Sequence, residues 1–435
     1  MSARLAVAAL ALTLATPLYA YPLDEGEDSG IRRLEGYLLQ QQAQGGAKLV
    51  PGQLWSGADI RLQLLNYSGP DFDELPEDPL LSAALTQMLR QRDPSYSMVL
   101  VDYTDPDAIR WAGLRPDLQQ NPGSVGKLVC MLALFHALAE AFPHPAERAR
   151  ILRETVVPAG SWVTNEVHIV PKWSEGEQRN RFSVIVSGDS FRLSEWIDHA
   201  ISASANGAGT VVWREAMLVR HYGADYPVSA EERERFFRDT PKRELGELAQ
   251  AVATEPLAAA GIDTDRLRQG SMFTGAGKAK VPGMTSYATP RELARLLFRL
   301  EQGRLVDAWS SLQMKKFMYL TKRRYRYAYA PELSDSAVFF KSGSLYSCRP
   351  EEGFRCGKYL GNVRNMMNSV AIVEQPGEDG LHYLAALMSN VLRFNSAWDH
   401  SRIAAAVHET LRTDQQQKLK ESASEQEMRD SGRSE

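Results

Sequence analysis

Apolar positions along this chain follow two periods. Residues 80–92 repeat them at the three-and-four spacing of one helical face, whereas 97–102 (SMVLVD) form a compact run of strand length. Residues 128–135 (LVCMLALF) are apolar without a break and follow Asn121-Pro122-Gly123, which predicts a turn feeding a buried helix. Residues 166–170 and 181–186 read as the two strands of a hairpin, 228–264 as helix, and 337–340 (AVFF) as a strand whose edge continues into Lys341-Ser342-Gly343-Ser344. The last strands are predicted at 369–373 and 383–388, with a closing helix at 397–411. Beyond Arg412 the chain is mostly Gln, Glu, Lys and Ser and has little to bury, so 413–435 is expected to be a solvated, disordered tail.

Composition adds a compartment and a size. At 435 residues with 44% apolar content, the chain can fill one large core or two smaller ones. Met1-Ser2-Ala3-Arg4 is a short basic lead to an apolar run at 5–15, and Leu18-Tyr19-Ala20 ends on a small residue, the pattern of a secretory signal cleaved after Ala20. That run is too short to span a bilayer, and no later stretch is expected to do so. The mature chain is therefore expected in a bacterial periplasm or outside the cell, with no stable membrane insertion. An oxidising compartment would let Cys348 and Cys356 bridge across the turn between them, leaving Cys130 as a buried thiol. A net charge of −4 gives no sign of nucleic-acid affinity, and the eight histidines show no metal-ligand spacing. Residues 21–80, punctuated by Gly-Gly, proline and acidic clusters, read as an N-terminal extension to a main domain at 81–412.

Three short strings carry the chemistry: Ser124-Val125-Gly126-Lys127, Ser204-Ala205-Asn206 and Lys341-Ser342-Gly343. On a helix, positions three apart share a face, so Lys127 can set its amine beside the Ser124 hydroxyl. A serine hydroxyl is a weak nucleophile until a base takes its proton, and a lysine can do so only as the neutral amine, which burial and neighbouring positive charge favour. Lys341 would supply such a charge. Gly343 allows close backbone approach, and the Ser344 N–H is a natural oxyanion donor beside that of Ser124.

In this order the strings resemble the signature of class A β-lactamases and penicillin-binding proteins. The resemblance implies an α+β fold of β-lactamase/transpeptidase type: an antiparallel five-stranded sheet flanked by helices, plus an all-helical subdomain. It implies catalytic roles for Ser124, Lys127, Ser204 and Lys341, and substrate contacts from Asn206, Ser342, Gly343 and Ser344. Residues 102–127, 191–201 and 288–297 are similar to the segments that lead to the nucleophile, deliver the second motif and follow the omega loop in that family. No metal or organic cofactor is called for. The expected partner is a β-lactam or peptidoglycan peptide substrate, and a monomer is expected.

Two departures stand out. Ala205 replaces the aspartate that class A enzymes carry in the second motif, and 270–286 (GSMFTGAGKAKVPGMTS) has no acidic residue where the family's deacylating glutamate should stand. Glu244, Glu247 and Glu255 are poor replacements by position. The readings are a class A β-lactamase-like serine hydrolase, a D,D-carboxypeptidase or endopeptidase acting on peptidoglycan peptides, and a non-catalytic peptidoglycan-binding protein. The basic and aromatic stretch 322–329 reads as a solvated face with tyrosines beneath, or as an anionic or glycan docking surface. Arg364 is a candidate for holding a substrate carboxylate.

Overall fold

The computed structural model describes residues 26–43, 49–321 and 324–431. The signal segment 1–20, together with Lys322 and Arg323 of the basic stretch, lies outside the described residues. Nine strands occur among those described: β1 Ser97–Asp102, β2 Arg110–Leu114, β3 Val156–Pro158, β4 Ile169–Ser174, β5 Arg179–Val184, β6 Ser190–Arg192, β7 Ala337–Ser347, β8 Arg364–Glu374 and β9 His382–Asn390. Five of them form one antiparallel sheet in the order β2-β1-β9-β8-β7.

Both faces of this sheet are buried, which is why its strands read as continuous apolar runs. Met98 and Leu100 of β1, with Tyr383, Ala385 and Leu387 of β9, face one core together with Ile403, Ala404, Val407 and Leu411 of the C-terminal helix. Val99 and Val101, with Leu384, Ala386 and Met388, face the opposite core. This second core extends through the helices Lys127–Ala141, Leu193–Ile201, Asn206–Tyr222 and Lys242–Ala259, which together make the helical part of the fold.

The hairpin predicted from 166–170 and 181–186 forms as β4 paired with β5, shifted a few residues inward at both ends. The run 228–264 divides into helices Ala230–Asp239 and Lys242–Ala259, because Pro241 cannot continue the first helix and starts the next. Thr289 caps helix Pro290–Glu301 by accepting from the Glu292 N–H at 3.2 Å, and the helix runs past the expected 297. The expectation of a disordered tail is corrected: the helix that begins at Ala397 continues to Ser431. Past Arg412 its polar turns gain same-face contacts instead of burial, such as Lys418 with Asp414 at 3.2 Å and Gln417 with Glu421 at 3.0 Å. The stretch Gly123–Ala141 is, contrary to expectation, long and apolar enough to cross a membrane. It packs instead as the central core helix, with Cys130 buried on it. Cys348 and Cys356 are joined as a disulfide.

The N-terminal extension is clamped to the helices behind the second motif. The Arg33 guanidinium forms a two-pronged pair with Asp198 at 2.5 and 2.6 Å, and donates to the Leu320 carbonyl at 3.0 Å. Arg32 holds Glu195 on the same helix at 2.7 Å. Further along, Gln63 N donates to Glu301 at 2.9 Å, where Lys315 also pairs with Glu301 and Glu374; all three charged side chains are fully buried. Breaking a buried ion pair by removing one partner leaves an unpaired charge in a low dielectric and costs about 3–5 kcal/mol. Arg33→Ala is therefore expected to lower stability by that amount in a denaturant titration. A loss below about 1 kcal/mol would show that the extension does not brace the second-motif helix.

Candidate active site

Ser124 lies in a single 3-10 turn, Gly123–Gly126, that leads directly into helix Lys127–Ala141. The turn is positioned from both sides. Gly123 N donates to Asn121 Oδ1 at 2.9 Å, the Asn121 side chain donates to the Ser286 carbonyl at 3.1 Å, and Asn368 on β8 donates to the Asn121 carbonyl at 3.0 Å. Gly123 has φ +56°, which an L side chain rarely adopts.

The turn and β7 meet at glycines. A methyl group on Gly343 would stand 2.0 Å from the Pro122 carbonyl oxygen and 2.9 Å from Ser124 N, and one on Gly123 would stand 2.7 Å from Ser344 N. The backbone N–H groups of Ser124 and Ser344 are therefore brought together across this contact.

Lys127 is the centre of the polar network. Its Nζ donates to Ser124 Oγ, the Ser204 carbonyl and Asn206 Oδ1, each at 2.8 Å. Lys341 Nζ donates to Ser204 Oγ at 2.8 Å and to the Ser342 carbonyl at 2.9 Å. A chain thus runs from Ser124 through Lys127 and Ser204 to Lys341, and both amines are fully buried. Burial lowers Lys127 to about 7, against a smaller upward pull from Glu166. Burial, the Lys127 charge and the Arg326 charge hold Lys341 well below the usual lysine range. Ser204 has φ +60°, and its turn is fixed by Ala205 N donating to the His199 carbonyl at 2.9 Å.

All eight residues singled out from the sequence fall around this one locus. Ser342 Oγ shares a hydrogen bond with the Tyr325 hydroxyl at 2.7 Å, and Ser344 Oγ lies 3.4 Å from Arg326 Nη2. Ser124, Ser204, Ser342, Gly343 and Ser344 line a cleft of about 920 Å³. Its outer walls come from Val167, His168 and Phe182 of the β4–β5 region and from Tyr329 and Trp398. Arg324, Tyr325 and Arg326 also line it, so this part of the basic stretch faces the cleft, while Tyr327 is buried beneath.

Arg364 is not near the third motif. It pairs in register with Ser347, six residues beyond Lys341 on β7, and its guanidinium bonds the Ser347 hydroxyl at 2.9 Å. The cation beside the motif is Arg326, with φ +54°, which donates to the Gly343 carbonyl at 2.9 Å and stacks 5.0 Å from the Tyr359 ring centroid. Sequence reasoning missed this role because the charge comes from the loop before β7 and not from the strand after it.

The acidic gap in 270–286 is real in space as well. Phe273 from this segment covers Lys127, with the amine 4.8 Å from the ring centroid. Glu255 is elsewhere, paired with Arg220 at 3.0 Å, and Glu247 pairs with exposed Arg243 at 3.1 Å. The carboxylate that does approach the site is Glu166, read from sequence only as the start of a strand. It accepts from Gly207 N, next to Asn206, and from Val167 N and His168 N at 2.9 and 2.8 Å. A lone acid opening an otherwise apolar run was the available signal.

Residues 248–411 match the model of a family described as the beta-lactamase enzyme family. The matched span includes the Thr289-Pro290 helix and Lys341-Ser342-Gly343 and begins after Ser124 and Ser204. A search of curated proteins finds no match. Among solved structures, a β-lactamase from Sphaerobacter thermophilus DSM 20745 is similar at 14% identity and a TM-score of 0.48, covering 75% of this chain and 94% of that one. TLA-3 extended-spectrum β-lactamase gives 14% and 0.49, covering 76% and 98%, and PBP-A gives 13% and 0.46, covering 78% and 98%. The fold is of β-lactamase/transpeptidase type. Together with the match over residues 248–411, it indicates a β-lactamase-like serine hydrolase.

The contact between β7 and the Ser124 turn is the feature most sensitive to one added carbon. Gly343→Ala is expected to cost about 1–3 kcal/mol through overpacking, read as a lower thermal midpoint. Gly188→Ala, where an added methyl meets nothing within 4 Å, is expected to leave the midpoint unchanged. Equal midpoints for the two variants would contradict the close packing.

Proposed function

We propose that this chain is a secreted, periplasmic or extracellular, hydrolase that attacks β-lactam-type amides through an acyl-enzyme on Ser124. The observation that carries this reading is the 2.8 Å hydrogen bond between Lys127 Nζ and Ser124 Oγ, at an amine that burial brings to about 7. In the neutral amine the two hydrogens go to the Ser204 carbonyl and Asn206 Oδ1, and the lone pair accepts from the Ser124 hydroxyl. As the neutral amine, Lys127 takes the Ser124 proton while Oγ bonds to the carbonyl carbon. The N–H groups of Ser124 and Ser344 receive the developing oxyanion. Lys127 then returns this proton to the leaving nitrogen as the C–N bond breaks. Lys341 keeps the Ser204 hydroxyl aimed. Asn206 fixes Lys127 and presents its amide to the substrate. Arg326, Ser342 and Tyr325 form the side of the cleft suited to a substrate carboxylate, and water later cleaves the ester.

A second reading, hydrolysis of peptidoglycan peptides ending in a D-amino acid, is favoured by the cleft itself. At about 920 Å³ it is at the upper end of what a drug-sized ligand fills. Ala205 and the acid-free 270–286 segment point the same way.

Incubation of the mature chain with a fluorescent penicillin, followed by intact-mass spectrometry, tests the shared chemistry. The native chain is expected to gain the mass of one penicillin, and Ser124→Ala to gain none. An unmodified native chain, or an adduct that survives in Ser124→Ala, would contradict the assignment of Ser124.

A further inference from the structure

The acyl-enzyme reading leaves a requirement unmet. Ester hydrolysis needs a group to take a proton from the attacking water, and the segment over Lys127 offers Phe273 in place of a carboxylate. Another part of the cleft lining contains a different arrangement. His168 lies in the chain just before β4 and lines the cleft together with Ser124 and Ser204. Its side chain is 32% exposed, while that of Glu166 directly beneath is fully buried.

The two are joined by a 2.6 Å hydrogen bond between His168 Nδ1 and Glu166 Oε1. Burial alone would raise the Glu166 carboxyl, but bonds from His168 and from the backbone N–H groups of Gly207 and His168 bring it down to about 2. The carboxylate is therefore ionised at neutral pH and can only accept. Nδ1 must carry the hydrogen of that bond, so in the neutral ring Nε2 holds the lone pair. A base held by a third group in one tautomer and one orientation is the logic of a catalytic dyad. The carboxylate is itself pinned to the second motif through Gly207 N, so the position of His168 is tied to Asn206 and Lys127.

We propose that His168 is the general base of deacylation and that Glu166 is its positioning residue. This rests on the acyl-enzyme reading above. In the step, a cleft water gives one proton to His168 Nε2 while its oxygen bonds to the acyl carbon. The tetrahedral intermediate then expels Ser124 Oγ. The proton held on Nε2 returns, through cleft water, to that oxygen, and the products are the free acid and neutral Ser124. The other charged groups lining the cleft are Arg324, Arg326 and Lys358, all cationic, and Glu166 is the anion beneath the ring. The His168 side chain is partly exposed in the cleft, whereas that of Lys127 is buried.

The test follows the formation and decay of the penicillin adduct separately, in the native chain and in His168→Gln, His168→Ala and Glu166→Gln. The His168 variants are expected to form the adduct and to lose it about 10²–10⁴-fold more slowly than the native chain. The pH profile of their decay is expected to lack one rising limb present in the native profile. Glu166→Gln, which keeps the imidazole but loses its anionic partner, is expected to decay at an intermediate rate. Native-like decay rates and pH profiles in both His168 variants would overturn the proposal. So would a native adduct that does not decay. Failure of the native chain to form any adduct would instead overturn the acyl-enzyme reading on which it rests, so the two failures are distinguishable.

Discussion

Everything at the site depends on burying two lysine amines in one chain of hydrogen bonds. Lys127 and Lys341 approach Ser204 from opposite sides, one through its carbonyl and the other through its hydroxyl. Desolvation makes an ammonium costly here, and two adjacent ammoniums more so. The consequence is a neutral amine near pH 7 within hydrogen-bond reach of Ser124, a state an exposed lysine would not supply. Lys127 achieves this by opening the central core helix, and Lys341 by lying on a strand whose neighbours are buried on both faces.

Such an arrangement needs a rigid surround, and the structure provides it with charge and with close packing. Arg33 and Asp198 lock the extension against the helix that carries the chain into the second motif, while Lys315 joins Glu301 and Glu374 across three further elements. Ser204 and Arg326 occupy the left-handed backbone region that non-glycine residues seldom adopt, and both do so within the site. The strain is sustained because their side chains and carbonyls are bonded on several sides. Close approach at Gly123 and Gly343 then fixes the spacing between the serine turn and β7.

Much of this was legible from sequence, and the rest was hidden for physical reasons. Strand 97–102 and the apolar helix after Ser124 declared themselves by period, because each is buried along its whole length. The three motifs predicted a shared site because their residue types suit one reaction, and the structure brings all eight positions to one locus. Helix Asn206–Tyr222 was not anticipated, because its glycines and polar residues mask its period while tertiary contacts bury most of it. The terminal helix was read as a tail because same-face ion pairs leave no apolar stripe. Glu166 and His168 were missed, and Arg326 was read only as part of a basic stretch, for another reason: each comes from a loop or loop-like segment, and only the folded chain shows which loops converge.

The most direct test of the central claim is the pH dependence of the acylation rate of Ser124, measured in a single turnover with a fluorescent penicillin. A base acts only when unprotonated, so the rate is expected to be low below the Lys127 midpoint and to rise to a plateau above it, with the inflection at about 7. An inflection near the ordinary lysine value of 10.5, or a rate independent of pH between 5 and 9, would contradict the account.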